Sequence, residues 1–436
     1  MKYHHLAFII FLLILEVDSM AQKKVYPLLD KYASEIEQKM VQWRREIHQN
    51  PELSNREFKT AEKVATHLKA LGIEVKTKVA HTGVVGILRG RKPGPVIALR
   101  ADMDALPVTE RVDVPFASKV RGEYNGIETG IMHACGHDTH VAILMATAEV
   151  LSKVRDQLPG TIKFIFQPAE EGTPPGEEGG ADLMVEEGVL NNPDVEAIFG
   201  LHISSDIPVG TLAYKPGGYM AAADRLIIKV KGVQTHGSKP WGGVDPIVTA
   251  AQIVMGLQTI VSRQTELTKE AAVISIGLIR GGVRNNIIPE EVEMIGTIRT
   301  LDTDMQKIIH EKIRKTVTLI AESQGATAYV EINPQVPITH NDPQLTSEML
   351  PSLKRVAGDE NVLLISATTG GEDFSFYAEK VPGFFFRLGG LPKSHKQGEF
   401  IPAHHTPDFF IDDSGLITGL KSMLHIAVDY LYSNGK

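Results

Sequence analysis

The chain has 436 residues, of which 43% are hydrophobic and 22% charged, a composition typical of a globular protein and not of a disordered or collagen-like one. Its formal net charge of −8 argues against nucleic acid as a partner, because proteins that bind a phosphate backbone carry an excess of Lys and Arg. The single cysteine, Cys135, excludes an intramolecular disulfide framework and a metal cluster bound by cysteines alone.

The N-terminus has the order of a secretory signal peptide. Lys2 precedes an unbroken apolar run at residues 6–15, which is too short to span a bilayer. Ser19 and Ala21 then supply the small residues of a cleavage site. We therefore expect residues 1–21 to be removed and the protein to be exported, either to a periplasm or out of the cell. The alternative is a membrane anchor, but no later stretch is apolar enough to span, so we expect no stable anchor.

Helical and strand-like patterns alternate along the first 200 residues. Helices are predicted at 28–49 and 60–71, and a third at 139–154. Apolar runs typical of buried strands lie at 84–88, 95–100, 161–167 and 195–200. This alternation predicts an α/β domain with a largely buried sheet.

A different pattern begins near residue 219. Predicted strands and helices follow in the order β-α-β-β-α-β, which is the ferredoxin-like arrangement. The strands lie at 224–231, 271–279, 290–300 and 327–333, and the helices at 246–263, with Asp245 as its N-cap, and at 303–323. Helix and strand signals then return. We predict an α/β domain formed by residues 22–218 and 334–436, with residues 219–333 inserted as a second domain.

Four segments carry acidic, thiol or imidazole groups close to predicted strands. They are Arg100–Asp104, His133–Asp138, Gln167–Gly172 and Gly200–His202. Three of them follow a strand, and the His133–Asp138 segment precedes the helix at 139–154. Ligands in open α/β sheets bind beyond the carboxyl ends of the strands. We therefore expect the four segments to face one crevice.

Cys135 and His137 are spaced so that both side chains can reach one point if the segment is irregular. A thiolate with an imidazole suits zinc or a similar ion, and ligation would explain a free cysteine in an oxidising compartment. The pair alone fits equally well a buried thiol beside a capping histidine. Asp138 could orient His137 or cap the following helix.

Glu170 and Glu171 are adjacent carboxylates after a buried strand, a costly arrangement unless a cation or a proton offsets it. One could bind a metal ion while the other acts as a general base. The alternative is a solvated acidic loop, as Glu177 and Glu178 could be. His202 on its own is more often a satisfied histidine at a strand end.

Five motifs together resemble the dinuclear-metal amidohydrolase and carboxypeptidase family. They are Arg100–Pro107, Met132–His140, Gln167–Gly172, Gly200–His202 and Gly371–Phe374. The most similar branch is that of N-acyl-amino-acid amidohydrolases, hippurate hydrolases and indole-acetyl–amino-acid hydrolases. The resemblance runs from about residue 30 to 430. It implies a mixed-sheet metallopeptidase-type catalytic domain with an inserted ferredoxin-like domain that acts as a lid or in dimerisation.

The resemblance also implies a site for two divalent metal ions, zinc or manganese, with cobalt and nickel as further candidates. The positions that match the family's ligands are Cys135, His137, Glu171, His202 and His405. His404 competes with His405, and His405 is preferred because the family's ligand histidine directly precedes an x-Pro pair, as His405 does here. Glu170 matches the general base and Asp104 an aspartate beside the ligands. Asp102 occupies a position where other branches carry a ligand histidine.

In the inserted domain, His236 resembles the histidine that polarises the scissile carbonyl, and Asn286 and Arg299 resemble substrate-facing positions. The alternatives are a surface histidine at a strand end and an arginine paired on the sheet face. Relatives often dimerise through this domain, so a homodimer is a candidate assembly. His236 would then act either within its own chain or from the partner subunit.

The implied reaction is hydrolysis of the amide bond of an N-acyl amino acid by a metal-bound water, with Glu170 as the general base. A dipeptidase or carboxypeptidase of the same clan is the alternative. A metal-dependent binding protein without turnover would not need both Glu170 and Glu171. A nucleophilic hydrolase is disfavoured because no G-x-S-x-G motif is present. The expected partner is a small N-acyl amino acid or dipeptide.

Overall fold

The structure, a computed structural model, describes the backbone of residues 2–435 and the side chains of residues 22–435. The predicted signal peptide at residues 1–21 lies outside the described side chains and stays a prediction. Within the described part of the chain, no helix is both long enough and apolar enough to cross a membrane.

Residues 2–435 form nine α-helices and eighteen strands. The helices are α1 (Lys2–Gln49), α2 (Phe58–Ala70), α3 (His137–Lys153), α4 (Gly180–Glu186), α5 (Pro246–Gln264), α6 (Thr303–Ser323), α7 (Pro343–Ala357), α8 (Ser375–Ala378) and α9 (Leu416–Ser433). The strands are β1 (Glu74–Val79), β2 (Gly83–Arg89), β3 (Lys92–Asp102), β4 (Arg121–Tyr124), β5 (Ile127–Gly130), β6 (Pro159–Gln167), β7 (Ala197–Pro208), β8 (Leu212–Tyr214), β9 (Gly217–Met220), β10 (Ala222–Lys231), β11 (Thr235–His236), β12 (Ala272–Gly281), β13 (Ile287–Ile288), β14 (Glu291–Thr300), β15 (Thr327–Val336), β16 (Thr339–Asn341), β17 (Val362–Leu364) and β18 (Gly383–Leu391).

The chain divides into two compact units. The first comprises Met1–Gly217, Asn341–Ile365 and Phe376–Lys436, and the second comprises Gly218–His340 and Ser366–Ser375. The second unit is therefore larger than the predicted insertion at 219–333. One reason is that β15 continues beyond residue 333.

The segment Ser366–Ser375 belongs to the second unit although it lies late in the sequence. The Thr368 N–H donates to the Tyr219 carbonyl at 3.0 Å, and the Ala221 N–H donates to the Gly370 carbonyl at 2.9 Å. These backbone hydrogen bonds join it to the start of the second unit. The sequence prediction placed this segment in the first domain, because no local pattern marks a long-range backbone pairing.

The first unit is built on a mixed eight-stranded sheet in the order β1-β2-β6-β3-β7-β18-β8-β17. Strands β6, β3, β7 and β18 run parallel, and β1 and β2 pair antiparallel at one edge. The parallel strands are buried along most of their length, as strands covered on both faces must be. Helix α3, buried almost all round, packs against α1, α9 and the sheet. The predicted mixed-sheet α/β class is confirmed.

The second unit has an antiparallel four-stranded sheet in the order β12-β14-β10-β15, with the helices α5 and α6 packed against it. Buried residues of α6 recur every four positions, which gives that helix one apolar face. They are Met305, Ile309, Ile313, Val317 and Ala321. The side chains of Asp245 and Asp302 cap the N-termini of α5 and α6. Element and strand order are those of a ferredoxin-like unit.

Candidate metal centre

The carboxyl ends of the parallel strands bring three of the sequence motifs to one edge of the first unit's sheet. Asp102 ends β3 and pairs in register with Gln167, which ends β6 and precedes Glu170 and Glu171. The sequence suggested that His202 follows a strand. Strand β7 extends to Pro208, so His202 lies inside the strand. This edge is where α/β sheets bind ligands.

The fourth motif reaches the same edge through a left-handed residue at the start of α3. Gly136 has φ +92°, and a Cβ there would lie 2.3 Å from Cγ2 of Ile203, so both the conformation and the space require glycine. The turn lets the side chains on either side of it converge. One ligand atom each of Cys135, His137 and Glu171 lies within 4.8 Å of the other two.

Two further histidines face the same thiol. The Sγ atom of Cys135 lies 3.3 Å from Nε2 of His202 and 3.3 Å from Nε2 of His405. The Nε2 atom of His405 is also 3.0 Å from Oε1 of Glu171. The structure thus brings together all five residues that the resemblance marked as metal ligands.

His404, the competitor of His405, also lies close to this cluster. Its Nδ1 is 3.7 Å from Sγ of Cys135, but its Nε2 accepts a hydrogen bond from the Ser205 N–H at 3.3 Å. His405 has a left-handed backbone with φ +64°, and its N–H donates to the Ala134 carbonyl at 2.8 Å. Only His405 faces both the thiol and the Glu171 carboxylate, which favours it as the ligand.

The ring of His137 shows that the cluster fits a cation. Its Nδ1 lies 3.2 Å from Oδ1 of Asp104, which fixes the ring orientation. Its Nε2 is buried without a hydrogen-bond partner among the described residues, 3.8 Å from Oε2 of Glu170 and 4.0 Å from Oε1 of Glu171. An imidazole nitrogen, a thiol and a carboxylate that share one small buried space form a donor set suited to zinc or a related divalent ion.

Asp138 does not orient His137, which was one of the two roles considered for it. Its Oδ2 atom lies 2.8 Å from Nδ1 of His48 and 2.8 Å from Nε of Arg44. The Nδ1 atom of His137 already contacts Asp104, which lies just after strand β3. Asp138 instead ties the first turn of α3 to α1.

His140 belongs to the same motif but is unavailable as a ligand. The Ile203 N–H donates to its Nε2 at 2.9 Å, so the ring proton sits on Nδ1, 2.5 Å from Oδ1 of Asp102. Asp102 also accepts from Nη1 of Arg100 at 2.7 Å. The aspartate at this position is therefore paired within the protein, as expected if Cys135 and His137 supply the ligands.

Two supporting residues were missed by the sequence reasoning. Oδ2 of Asp104 accepts hydrogen bonds from Oγ of Ser54 at 2.8 Å and from the Glu171 N–H at 3.0 Å. Glu57, which is fully buried, contacts the turn before Glu170. The available signal was the concentration of polar residues at 52–57, among them Glu52, Ser54, Asn55 and Glu57, in the break between two predicted helices, since loops often carry functional groups.

Burial and the neighbouring charges shift the acid–base properties of the cluster. Burial, with the Glu171 and Glu170 carboxylates, raises the pKa of the Cys135 thiol well above its usual value. Burial alone would lower the pKa of His137, but Asp102 and Asp104 raise it to about 10. A bound cation would oppose both shifts because it favours thiolate and neutral imidazole.

The three predicted substrate residues belong to the second unit. His236 and Asn286 are neighbours, because β11 pairs with β13 and the Gly237 N–H donates to the Asn286 carbonyl at 2.8 Å. The Ser238 N–H donates to Nδ1 of His236 at 3.1 Å, so a neutral ring carries its proton on Nε2. Nε of Arg299 donates to Oγ1 of Thr297, and its guanidinium forms no ion pair among the described residues.

Comparisons with a family profile, with known sequences and with solved structures all point to the same family of hydrolases. The sequence profile of peptidase family M20/M25/M40 matches residues 98–429. Thermostable carboxypeptidase 2 of Saccharolobus solfataricus is 43% identical over 398 residues, which cover 91% of this chain and 96% of that protein. N-acetylcysteine deacetylase of Bacillus subtilis is 38% identical over 391 residues, which cover 89% and 96%. The solved structure of a dinuclear metal-binding peptidase of the M20 family from Bacillus subtilis, 37% identical, covers 91% of this chain and 99% of its own with a TM-score of 0.75. With agreement over nine tenths of its length, the chain belongs to peptidase family M20/M25/M40 and is a hydrolase.

Proposed function

We propose that the protein hydrolyses the amide bond of N-acyl amino acids at a site for two divalent metal ions. The observation that carries the proposal is the convergence of five ligand groups in the first unit. They belong to Cys135, His137, Glu171, His202 and His405. Metal ions held there would supply Lewis acidity, which lowers the pKa of water and polarises an amide carbonyl.

Glu170 is proposed as the general base. Its Oε2 lies 3.8 Å from Nε2 of His137, and its neighbour Glu171 faces the ligand cluster. A carboxylate beside the ligands can accept a proton from the attacking water and then donate it to the leaving amine. Asp104 supports this arrangement by holding the His137 ring and the Glu171 backbone.

The second unit is proposed to bind the substrate. His236 can donate a hydrogen bond from Nε2 to the carbonyl oxygen as it gains negative charge. Arg299 has guanidinium donors beyond the one that meets Thr297, which suits the α-carboxylate of the leaving amino acid. Asn286, adjacent to His236, can add a further polar contact.

A carboxypeptidase or dipeptidase activity is the second candidate. It is supported by the relative named thermostable carboxypeptidase 2, at 43% identity. N-acyl amino acids and peptides present the same amide beside a free carboxylate, so one site can serve either class. The acyl group or preceding residue would decide between them.

The test combines metal analysis with product detection. The purified protein is reconstituted separately with zinc, manganese, cobalt and nickel, and its metal content is measured by mass spectrometry. Amino acid release is followed with ninhydrin on N-acetyl, N-benzoyl and N-indole-acetyl amino acids and on dipeptides. We expect close to two metal ions per chain and chelator-sensitive release. Bound metal without release from any substrate would favour a binding protein, and failure to bind any metal would refute the ligand assignment.

We also propose a homodimer formed through the second unit. Strand β12 is an edge of its sheet, and Val273 and Ile279 on it are exposed. Helix α5, which packs beside β12, exposes Val248 and Met255. A long edge strand with exposed apolar side chains is a ready template for pairing with a second copy.

Export after cleavage near Ala21 is likewise proposed. It is supported by the apolar run at residues 6–15 and the small residues before the cleavage site. N-terminal sequencing of the protein recovered from outside the cytoplasm tests it, with Gln22 as the expected first residue. Recovery of an uncleaved chain would contradict it.

A further inference from the structure

We propose that Glu57 is a positioning residue that holds a left-handed turn at Ala169 and thereby aims Glu170 and Glu171. The inference rests on the proposed function, because it assumes that Glu170 is the base and Glu171 a metal ligand. Glu57 itself lies in a segment to which no proposed metal ligand or substrate-binding residue belongs. All of the residues involved belong to the first unit.

The Glu57 carboxyl group, whose pKa is raised to about 8 by burial and by the Asp104 charge, accepts hydrogen bonds from three donors. Its Oε1 accepts hydrogen bonds from the N–H groups of Asn55 at 3.0 Å and Ala169 at 2.9 Å. Its Oε2 accepts from Oγ1 of Thr82 at 2.5 Å. The side chain is fully buried, so its removal would leave the Asn55, Thr82 and Ala169 donors without this acceptor and away from bulk solvent.

The Glu57 side chain does not cap helix α2. It occupies the N-cap position of α2, where an acidic side chain usually accepts a hydrogen bond from the first turn. Here the side chain makes no such bond to α2. It extends instead to Ala169, more than a hundred residues away in sequence.

Ala169 needs such a contact because of its backbone conformation. Its φ is +53°, a region that residues with a Cβ seldom adopt, and its side chain is buried. It stands between the end of β6 at Gln167 and the proposed base Glu170. A relaxed φ at Ala169 would redirect the two carboxylates that follow.

The other end of the same turn is held independently. The Glu171 N–H donates to Oδ2 of Asp104 at 3.0 Å. Two buried carboxyl groups thus hold the turn, that of Glu57 before Glu170 and that of Asp104 after it. Loss of the Glu57 contact releases the backbone at Ala169, directly before Glu170. Asp104 still holds the backbone at the proposed ligand Glu171.

The test uses Glu57→Ala, Glu57→Gln and Ala169→Gly, alone and combined. In Glu57→Ala we expect kcat to fall about 10–100-fold and metal affinity to weaken by a smaller factor, with KM nearly unchanged. Glutamine keeps an acceptor oxygen for the Asn55 and Ala169 N–H groups, so Glu57→Gln should stay close to the parent. Glycine adopts positive φ without strain, so adding Ala169→Gly to Glu57→Ala should restore part of the lost kcat.

Thr82→Val is the matched control. It removes one donor to Glu57 and leaves the contact with Ala169 intact, so kcat should remain within about threefold of the parent. If Glu57→Ala does not fold, Glu57→Asp replaces it, since a side chain shorter by one methylene group draws its acceptor oxygen back from the Ala169 N–H. The same rescue by Ala169→Gly is then expected.

Two results would overturn the inference. One is a Glu57→Ala enzyme that loses thermal stability but keeps its kcat per bound metal ion. The other is a loss of kcat that Ala169→Gly does not reduce, as for a purely structural role. If the parent hydrolyses none of the substrates, the proposed function fails. Metal affinity, measured by chelator competition, still tests the role of Glu57 in that case, and an unchanged affinity in Glu57→Ala would refute it.

Discussion

A carboxylate oxygen of Asp104 lies 3.2 Å from Nδ1 of His137, on the side of the ring opposite the nitrogen that faces Glu170 and Glu171. The second oxygen of Asp104 accepts the N–H of Glu171. One buried aspartate therefore orients two proposed metal ligands that come from different segments of the chain. Such a residue is expected to act on metal affinity without touching the metal.

Replacement of Asp104 should therefore weaken metal binding. Asn has only one acceptor oxygen, so Asp104→Asn loses the contact either to His137 or to Glu171, and affinity should fall about 10–100-fold. Competition with a chromophoric chelator measures the change. The control is Ser54→Ala, which removes one donor to Asp104 but leaves both ligands held, and should cost much less. Equal losses in the two variants would contradict the role given to Asp104.

The adjacent carboxylates provide a matched pair of substitutions. Glu170→Gln should retain bound metal and lose about 10²–10⁴-fold in kcat, because an amide cannot accept the proton of the attacking water. Glu171→Gln should lose metal, because its carboxylate faces the ligand cluster. Metal content and single-substrate kinetics on both variants separate the roles. Near-parental turnover in Glu170→Gln would exclude it as the base.

The adjacent histidines form a second such pair. His405→Ala should lower metal content, since its Nε2 faces both Cys135 and Glu171. His404→Ala should retain most of the metal, because one nitrogen of His404 already accepts from the Ser205 N–H. Metal content after dialysis against a weak chelator distinguishes them. The opposite ranking would assign His404 as the ligand.

The sequence alone predicted those parts of the site whose residues lie close together along the chain. Cys135 and His137 share one short motif, Glu170 and Glu171 are adjacent, and both pairs lie beside strongly apolar runs. Family resemblance was needed for His405, because its neighbour offers the same chemistry. The apolar pattern sufficed for an α/β domain with a buried sheet, because buried parallel strands are continuous apolar runs, whereas the resemblance was needed to expect a mixed sheet.

The residues that support the ligands were not predictable in the same way. Ser54 and Glu57 act on Asp104 and Ala169 across long stretches of chain, and nothing in their own segment names those partners. The state of His140 is likewise invisible in the sequence, because only the Ile203 N–H shows which ring nitrogen carries the proton. Two roles were open for Asp138, to orient His137 or to cap the helix, and only the contact between Asp104 and His137 shows that Asp138 does not orient that ring.

Stability of the metal-depleted protein should depend on His48 and pH. Burial and Arg44 act to lower the pKa of His48, but Asp138 and Glu110 outweigh them and raise it. Because the pKa of His48 is higher in the folded protein than in the unfolded chain, protonated His48 stabilises the fold fully below about pH 6.5. This stabilisation is lost as the pH rises through the pKa of His48 in the folded protein. His48→Gln should therefore cost about 2 kcal/mol at pH 6 and progressively less at higher pH. Urea unfolding of both proteins from pH 5 to 9 measures the difference, and a difference that grows with pH would contradict it.

The edge strand β12 predicts how the protein assembles. Ile279→Asp places a charge on this edge, where the parent side chain is 57% exposed, and it should shift a dimer towards monomer because burying an unpaired charge is costly. Leu319→Asp is the matched control: Leu319 is 53% exposed on α6, which is neither the strand β12 nor the helix α5 to which the interface is assigned, so the assembly should not change. Size-exclusion chromatography with light scattering reports the mass of each. A monomeric parent, or equal dissociation in both variants, would show that β12 is not the interface.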